Sequence, residues 1–230
     1  MKICFLGTSH AAQHLAAAAK DKGFDIVPLA GAPDLVFVSE DTPTDDEGGR
    51  DLEHIRIRLN MASKVTVPVV LTSQVPPGFS RGWFLDHDLD LWHQAETLRI
   101  IDAGERAAHP EMIIVGYRDH TTPMPAAYAA YCAAFGCPVL RVTWEEAELS
   151  KIAINTFLVA QVETTNALAT AAAAVGADWE RIAEVLRHDT RIGRQAYLRP
   201  GNWADSPHLL RDVGTLEAII GITHPAREEE

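Results

Sequence analysis

The sequence predicts an α/β protein. The expected form is a Rossmann-like, doubly wound parallel sheet, followed by a long helix and a small all-helical dimerisation domain. Three observations carry this. Short apolar runs alternate with helical stretches through the first two thirds of the chain. The first run ends at Gly7 and passes straight into an alanine-rich helix. A single helical pattern then runs from Glu145 to Val175 with no breaker. Strand–helix alternation is the signature of a parallel sheet, because each crossover must return the chain to the same edge of the next strand.

Lys2 to Leu6 reads as the first buried strand, and His10 to Lys22 as the helix after it, stopped at Gly23. Phe24 to Leu29 is a second strand and Asp34 to Val38 a third. Asp51 to Ser63 looks helical, and Val65 to Leu71 is the next strand. Glu111 to Val115, a helix over Pro125 to Phe135, and Pro138 to Val142 continue the alternation. Strands are therefore expected to start near Lys2, Phe24, Asp34, Val65, Met112 and Pro138.

The helix from Glu145 to Val175 makes about eight turns at 3.6 residues per turn. Its apolar residues Ile152, Ile154, Phe157, Leu158, Val162 and Leu168 give it more than one face to bury. Gly176 closes it, and Asp178 caps a further helix to about Arg187. A boundary near Trp144 divides the chain into a sheet domain, 1–144, and a helical, dimer-forming domain, 145–230.

Composition narrows the function classes. The 230 residues are 47% hydrophobic with a formal net charge of -12, enough apolar mass for a real core and too acidic for gripping a nucleic-acid backbone. Part of the charge is the tail Arg227 to Glu230, expected to be solvated. The start MKICFLGTSH reads as a strand entering a turn rather than as a signal peptide, and no apolar run reaches the ~18 residues of a membrane span. Cys4, Cys132 and Cys137 have no metal-like spacing and read as reduced thiols, which places the chain in the cytoplasm. His10 and His14 share a helix face, but no third ligand accompanies them, so no metal site is expected.

Five blocks, in order, resemble the UDP-glucose/GDP-mannose dehydrogenase family. DLVFVSEDTPTDDEGGRDL, Asp34 to Leu52, is similar to the family's D-V-I-F-I-A-V-G-T-P-S-D-x-x-G-x-x-D-L. VVLTSQVPPGF, Val69 to Phe79, resembles I-V-x-K-S-T-V-P-x-G-F, and QAETLR, Gln94 to Arg99, resembles N-P-E-F-L-R. AELSKIAINTFLVAQVETTNAL, Ala147 to Leu168, resembles A-E-x-x-K-x-x-x-N-x-F-L-A-x-x-x-x-x-N-E-x. Asp189 to Asp212 lines up without a gap on D-x-R-I-G followed by P-G-x-G-F-G-G-x-C-F-P-K-D.

The resemblance implies roles. Lys151 would stabilise a developing oxyanion, with Asn155 one turn on to orient the sugar C6 oxygen. Glu96 would be the catalytic glutamate and Asp212 the carboxylate that positions water or base. His208 falls at the family's nucleophilic cysteine. NAD would be held by Gly7, Ser9, Ala12, Thr42, Pro43 and Ser73, and the other ligand would be a sugar or sugar nucleotide.

The departures from the pattern are as specific. The family's thiolate holds an aldehyde as a thiohemiacetal and then a thioester, so one alcohol can lose two hydrides; an imidazole at His208 does not readily do this. Asp205 and Ser206 replace a glycine pair, beside Trp203 and Pro207, and Gln74 replaces a threonine. The family's third domain, which grips the nucleotide, has no counterpart before the chain ends beyond Ile222. The turn Gly7-Thr8-Ser9-His10-Ala11-Ala12 puts Ser9 where G-x-G-x-x-G has its second glycine. FDIVPLA, the second strand, ends at Ala30 without the acid that meets the ribose hydroxyls. Two readings follow: an NAD-dependent oxidoreductase making at most a single hydride transfer, with Lys151 or His208 as proton acceptor, or a non-catalytic dimeric binding or scaffold protein.

Overall fold

The structure, a computed structural model, describes residues 1–44, 49–87 and 89–221. The acidic tail and part of the Asp34 to Leu52 block lie outside the described residues. The chain divides into two compact units, Met1–Lys151 and Ile152–Glu230.

The first unit is built on a seven-stranded sheet in the order β2-β1-β3-β4-β5-β6-β7. The strands are β1 Lys2–Leu6, β2 Asp25–Ile26, β3 Leu35–Val38, β4 Val69–Leu71, β5 Leu91–Gln94, β6 Ile113–Tyr117 and β7 Val139–Thr143. β3 and β4 are buried at every position. Strands covered on both faces carry unbroken apolar runs such as LVFV, whereas half-exposed strands alternate. The helices between them are α1 His10–Asp21, α2 Glu53–Ala62, α3 Phe79–His87, α4 Ala103–Ala108 and α5 Ala126–Ala133. The aromatic residues Phe37, Trp92, Tyr128 and Tyr131 fill the centre of the core.

The expected parallel sheet is present with three differences. β4 starts at Val69 rather than Val65, because residues Ser63 to Val67 form the turn that closes α2, and Val65 donates back to the Ala62 carbonyl at 3.2 Å. β2 is cut to two residues, since Pro28 lacks a ladder donor and the chain turns into a short 3-10 helix at Leu29–Gly31. β5, LWHQ, was not expected; it runs parallel to β4 and antiparallel to β6.

From β1 the chain winds outward to β2, then crosses back to β3 on the other side of β1. The direction of winding reverses between β1 and β3. In open α/β sheets that reversal leaves a crevice at the carboxyl ends of the two strands, where ligands bind.

Helix α6, Trp144–Ala174, begins in the first unit and continues into the second. Its first turns press on β6: a Cβ at Gly116 would lie 2.6 Å from that of Ala147, so only glycine fits there. The second unit continues with α7 Trp179–His188 and α8 Pro207–Ile220. The expected cap is present, with the Asp178 side chain accepting from Glu180 N. Val159, Val162, Trp203 and Val213 make this unit's own small core. Among the described residues no helix is long and apolar enough to cross a membrane.

Candidate functional site

The candidate residues fall into two groups, one in each unit. In the sheet unit, the ends of β1, β3 and β4 bring together the residues expected to hold a dinucleotide. Gly7 adopts φ +142, and a Cβ there would sit 1.8 Å from the Ser39 carbonyl oxygen. The turn after β1 is thus pressed against the end of β3. Ser9, 2% exposed, links the two: its hydroxyl donates to the Ser39 carbonyl at 2.9 Å and accepts from Ala12 N at 3.0 Å, capping α1. Ser73, at the end of β4, accepts from Glu40 N at 2.8 Å. Thr42 is buried, and the carbonyl of Pro43 takes the Asp51 N–H at 2.8 Å.

A dinucleotide's phosphates need free backbone N–H groups and close approach at such a turn. Here the chain supplies its own anion. The Glu40 carboxylate accepts the Thr8 N–H at 3.1 Å and faces the Thr8 hydroxyl at 3.5 Å. Its other oxygen accepts from Arg58 Nε at 2.6 Å. The Ser9 hydroxyl fills the position of closest approach. The residues present therefore do not fit a dinucleotide phosphate. Sequence reasoning missed Glu40. The signal was the family pattern itself, which has valine at that position of the Asp34 to Leu52 block.

Glu96 is half-buried just after β5. One of its oxygens accepts from Leu98 N and the other lies 3.4 Å from Gln74 Nε2. Two residues singled out from separate blocks thus meet in the same unit. Close by in sequence to Gln74, the V-P-P-G-F segment is held by Glu148 of α6, whose carboxylate accepts from Gly78 N at 2.6 Å and Ser80 N at 2.9 Å. Burial pushes that carboxyl up to about 7, outweighing the two N–H bonds, which act the other way. Sequence reasoning gave Glu148 no role beyond the A-E-x-x-K pattern.

In the helical unit, Asn155 Nδ2 donates to the Asp212 carboxylate at 2.6 Å. Both are buried, and Arg211 Nε, also buried, reaches the other Asp212 oxygen at 3.2 Å. Lys151, the last residue of the sheet unit, lies four residues before Asn155 on α6 and is half-buried. His208 lies four residues before Asp212, exposed, in the first turn of α8. The position at which the resemblance expects a nucleophile is therefore helical, with Pro207 opening the helix where its missing N–H costs nothing.

The segment leading to it is tied down along α6. Tyr197 N donates to the Gln161 side chain at 2.8 Å, and Thr165 Oγ1 to the Tyr197 carbonyl at 2.8 Å. Asn166 and Gly201 exchange two hydrogen bonds, at 2.8 and 2.9 Å. Trp203 Nε1 donates to Glu163 at 3.1 Å. Asp205 and Ser206 follow in a short 3-10 turn and the α8 cap. Among the described residues no group of three His, Cys, Asp or Glu side chains could hold a metal ion, although His10 and His14 do meet at 3.0 Å.

Comparison with known proteins shows what the chain is similar to. Residues 145–221 match the central domain of the UDP-glucose/GDP-mannose dehydrogenase family. The UDP-glucose 6-dehydrogenase TuaD of Bacillus subtilis is 28% identical over 191 residues, covering 77% of this chain and 40% of the relative. The UDP-glucose 6-dehydrogenase of Pongo abelii is 32% identical over 184 residues, covering 70% of this chain and 37% of the relative. The chain thus spans about two fifths of the length of these curated relatives. The structure of a UDP-glucose dehydrogenase from Pyrobaculum islandicum has the same fold, with a TM-score of 0.78 at 20% identity over 96% of this chain and 65% of that one.

Proposed function

We propose that this chain, a relative of the UDP-glucose/GDP-mannose dehydrogenases, works as a non-catalytic dimeric binding or scaffold protein on their fold. The observation that carries the reading is the residue at the nucleophile position. Two successive hydride removals from one alcohol need the intermediate aldehyde held covalently, and His208 offers no thiolate for it. Cys4, Cys132 and Cys137 all belong to the sheet unit, and burial pushes the Cys4 thiol up and that of Cys132 up to about 12. A thiol held protonated is a poor nucleophile.

Dimer formation is part of this reading. Phe157, Leu168 and Val175 are spaced 11 and 7 residues apart on α6 and its end, which puts them on one stripe. They are 73%, 43% and 79% exposed. A second copy of the same stripe is the self-complementary cover that a two-fold dimer supplies. Free thiols suit a reducing compartment such as the cytoplasm.

A second reading, an NAD-dependent oxidoreductase making a single hydride transfer on a sugar or sugar-nucleotide alcohol, is favoured by one observation. The Asn155–Asp212 pair is kept in a buried, preorganised geometry, with Lys151 one turn before it. Incubation with NAD and UDP-glucose, following NADH, aldehyde and glucuronate, separates the readings. The first expects no NADH above a protein-free control. One NADH per aldehyde would establish the second, and two NADH per glucuronate would overturn both.

A further inference from the structure

We propose that Glu40 is a built-in anion that occupies the phosphate-binding turn between β1 and α1, with Arg58 as its counter-ion, and that it shuts dinucleotides out of the crevice at the sheet's switch point. The carboxylate is fixed from several sides. The Glu40 backbone N–H donates to Ser73 Oγ at 2.8 Å, one carboxylate oxygen accepts from Thr8 N at 3.1 Å, and the other accepts from Arg58 Nε at 2.6 Å. The Glu40 side chain is only 8% exposed, against 31% for its partner. A carboxylate this enclosed needs its partners, and the turn supplies one of them from the donor set that a phosphate would use.

The neighbouring substitution works in the same direction. Ser9 spends its hydroxyl on Ser39 and on the Ala12 N–H at the start of α1. Glycine at that position leaves both the space and the donor open. A diphosphate entering this turn would meet a fixed negative charge at the distance of a hydrogen bond, and like charges in partly buried sites repel strongly. The substitutions at Ser9 and Glu40 come from different strands' ends and converge on one point. Removing the carboxylate leaves Arg58 facing the turn and shifts the local charge from neutral to positive.

The test is a calorimetric titration of NAD and NADH into the full chain, run on wild type, E40Q, E40V and the double variant E40V/S9G. Thermal unfolding of each variant checks the fold. Wild type should show no saturable binding at millimolar cofactor. E40V should bind at least about tenfold more tightly than wild type, a gain of about 1.4 kcal/mol, and E40V/S9G more tightly still. E40Q, which keeps the shape and loses the charge, serves if E40V does not fold and should also gain affinity. Micromolar binding by wild type, or no gain in any folded variant, overturns the proposal. NAD binding by wild type without NADH formation would sink this inference while leaving the non-catalytic reading intact, so the two fail separately.

Discussion

Asn155 and Asp212, 57 residues apart, meet at 2.6 Å inside the helical unit, and neither side chain has significant access to water. The amide is one of the donors that make a buried carboxylate tolerable; Arg211 is another. Removing it leaves the Asp212 charge with less compensation than burial demands. Asn155→Ala should therefore lower the unfolding free energy by about 2 kcal/mol, the usual range for a hydrogen bond to a charged group. Asn155→Asp should cost more, since it sets two carboxylates against each other. Urea denaturation of the three proteins measures this. A change in Asn155→Ala within the error of the fit would mean that the pair adds nothing to the fold.

Glu148 gives the stability of the sheet unit a pH dependence of unusual sign. Burial holds its carboxyl near 7, against 4.5 for an ordinary glutamate, with the charge of Glu145 adding to the rise and the N–H groups of Ser80 and Gly78 opposing it. Between these values the folded chain binds a proton that the unfolded chain does not. The contribution to stability is then complete below about 4.5 and is lost as pH rises to about 7. Its size is bounded by about 3.5 kcal/mol, at about 1.4 kcal/mol per unit of pKa. Glu148→Gln should flatten the fall in stability over this range, measured by denaturant titration at a series of pH values. Equal slopes in both proteins would remove Glu148 as the source.

The exposed stripe on α6 predicts the oligomeric state. Wild type should sediment as a dimer at micromolar concentration. Phe157→Glu, placing a charge at the most exposed aromatic position of the stripe, should weaken association at least tenfold with little effect on the protomer's own unfolding. Burial of apolar surface contributes about 25 cal/mol per Å², so loss of one phenyl ring and insertion of a charge are ample for that shift. A wild-type monomer at that concentration, or a dimer indifferent to Phe157→Glu, would place the interface elsewhere or nowhere.

Gly7 tests how firmly the turn is locked. Its φ is +142 and a Cβ there would lie 1.8 Å from the Ser39 carbonyl oxygen, which leaves no room for a methyl group; the obstacle is backbone rather than a flexible side chain. Gly7→Ala should destabilise by about 3 kcal/mol or more, since backbone strain and a displaced strand end combine. Gly23→Ala, also at positive φ but with open space around it, should cost less. Equal losses for the two would show that conformation alone matters and that the close approach of the turn to β3 does not.

The parts of the fold that could be read from sequence are those with local signals. LVFV of β3 is uniformly apolar, and the alanine-rich α1 and the unbroken α6 state their own periods. β5 escaped because LWHQ mixes apolar and polar residues, although all are buried; Gln94 accepts from the Tyr128 hydroxyl at 3.1 Å, and His93 is held neutral by burial, with its pKa lowered to about 4. α8 escaped because Pro207 to Asp212 were matched only to the family pattern, while Pro207 and Ser206 were legitimate start signals for a helix. The Asn155–Asp212 pair was legible only through resemblance, since nothing local links residues on α6 to residues on α8. Glu40 was hidden for a different reason. The acid sought was one at the end of β2, to meet a ribose; the acid present stands at the end of β3 and takes the turn for itself.

His208→Cys separates the presence of a nucleophile from the presence of a reaction. The position lies in the first turn of α8, exposed, where a helix N-terminus favours the thiolate over the thiol. The new cysteine should react readily with iodoacetamide at neutral pH, while buried Cys4 and Cys132, with raised pKa values, stay slow. Mass spectrometry should find the first alkyl group on residue 208. Oxidation of UDP-glucose should nevertheless remain absent in the presence of NAD. The thiolate would stand beside Asp205 and Ser206 instead of a glycine pair, and Glu40 would still fill the turn that a cofactor's phosphates need. A reactive residue 208 without glucuronate would show that the missing thiolate is one of several losses. Glucuronate formed by His208→Cys alone would show instead that the cofactor turn and substrate loop remain functional. Glu40 would then not exclude the cofactor, and Asp205 would not obstruct the sugar.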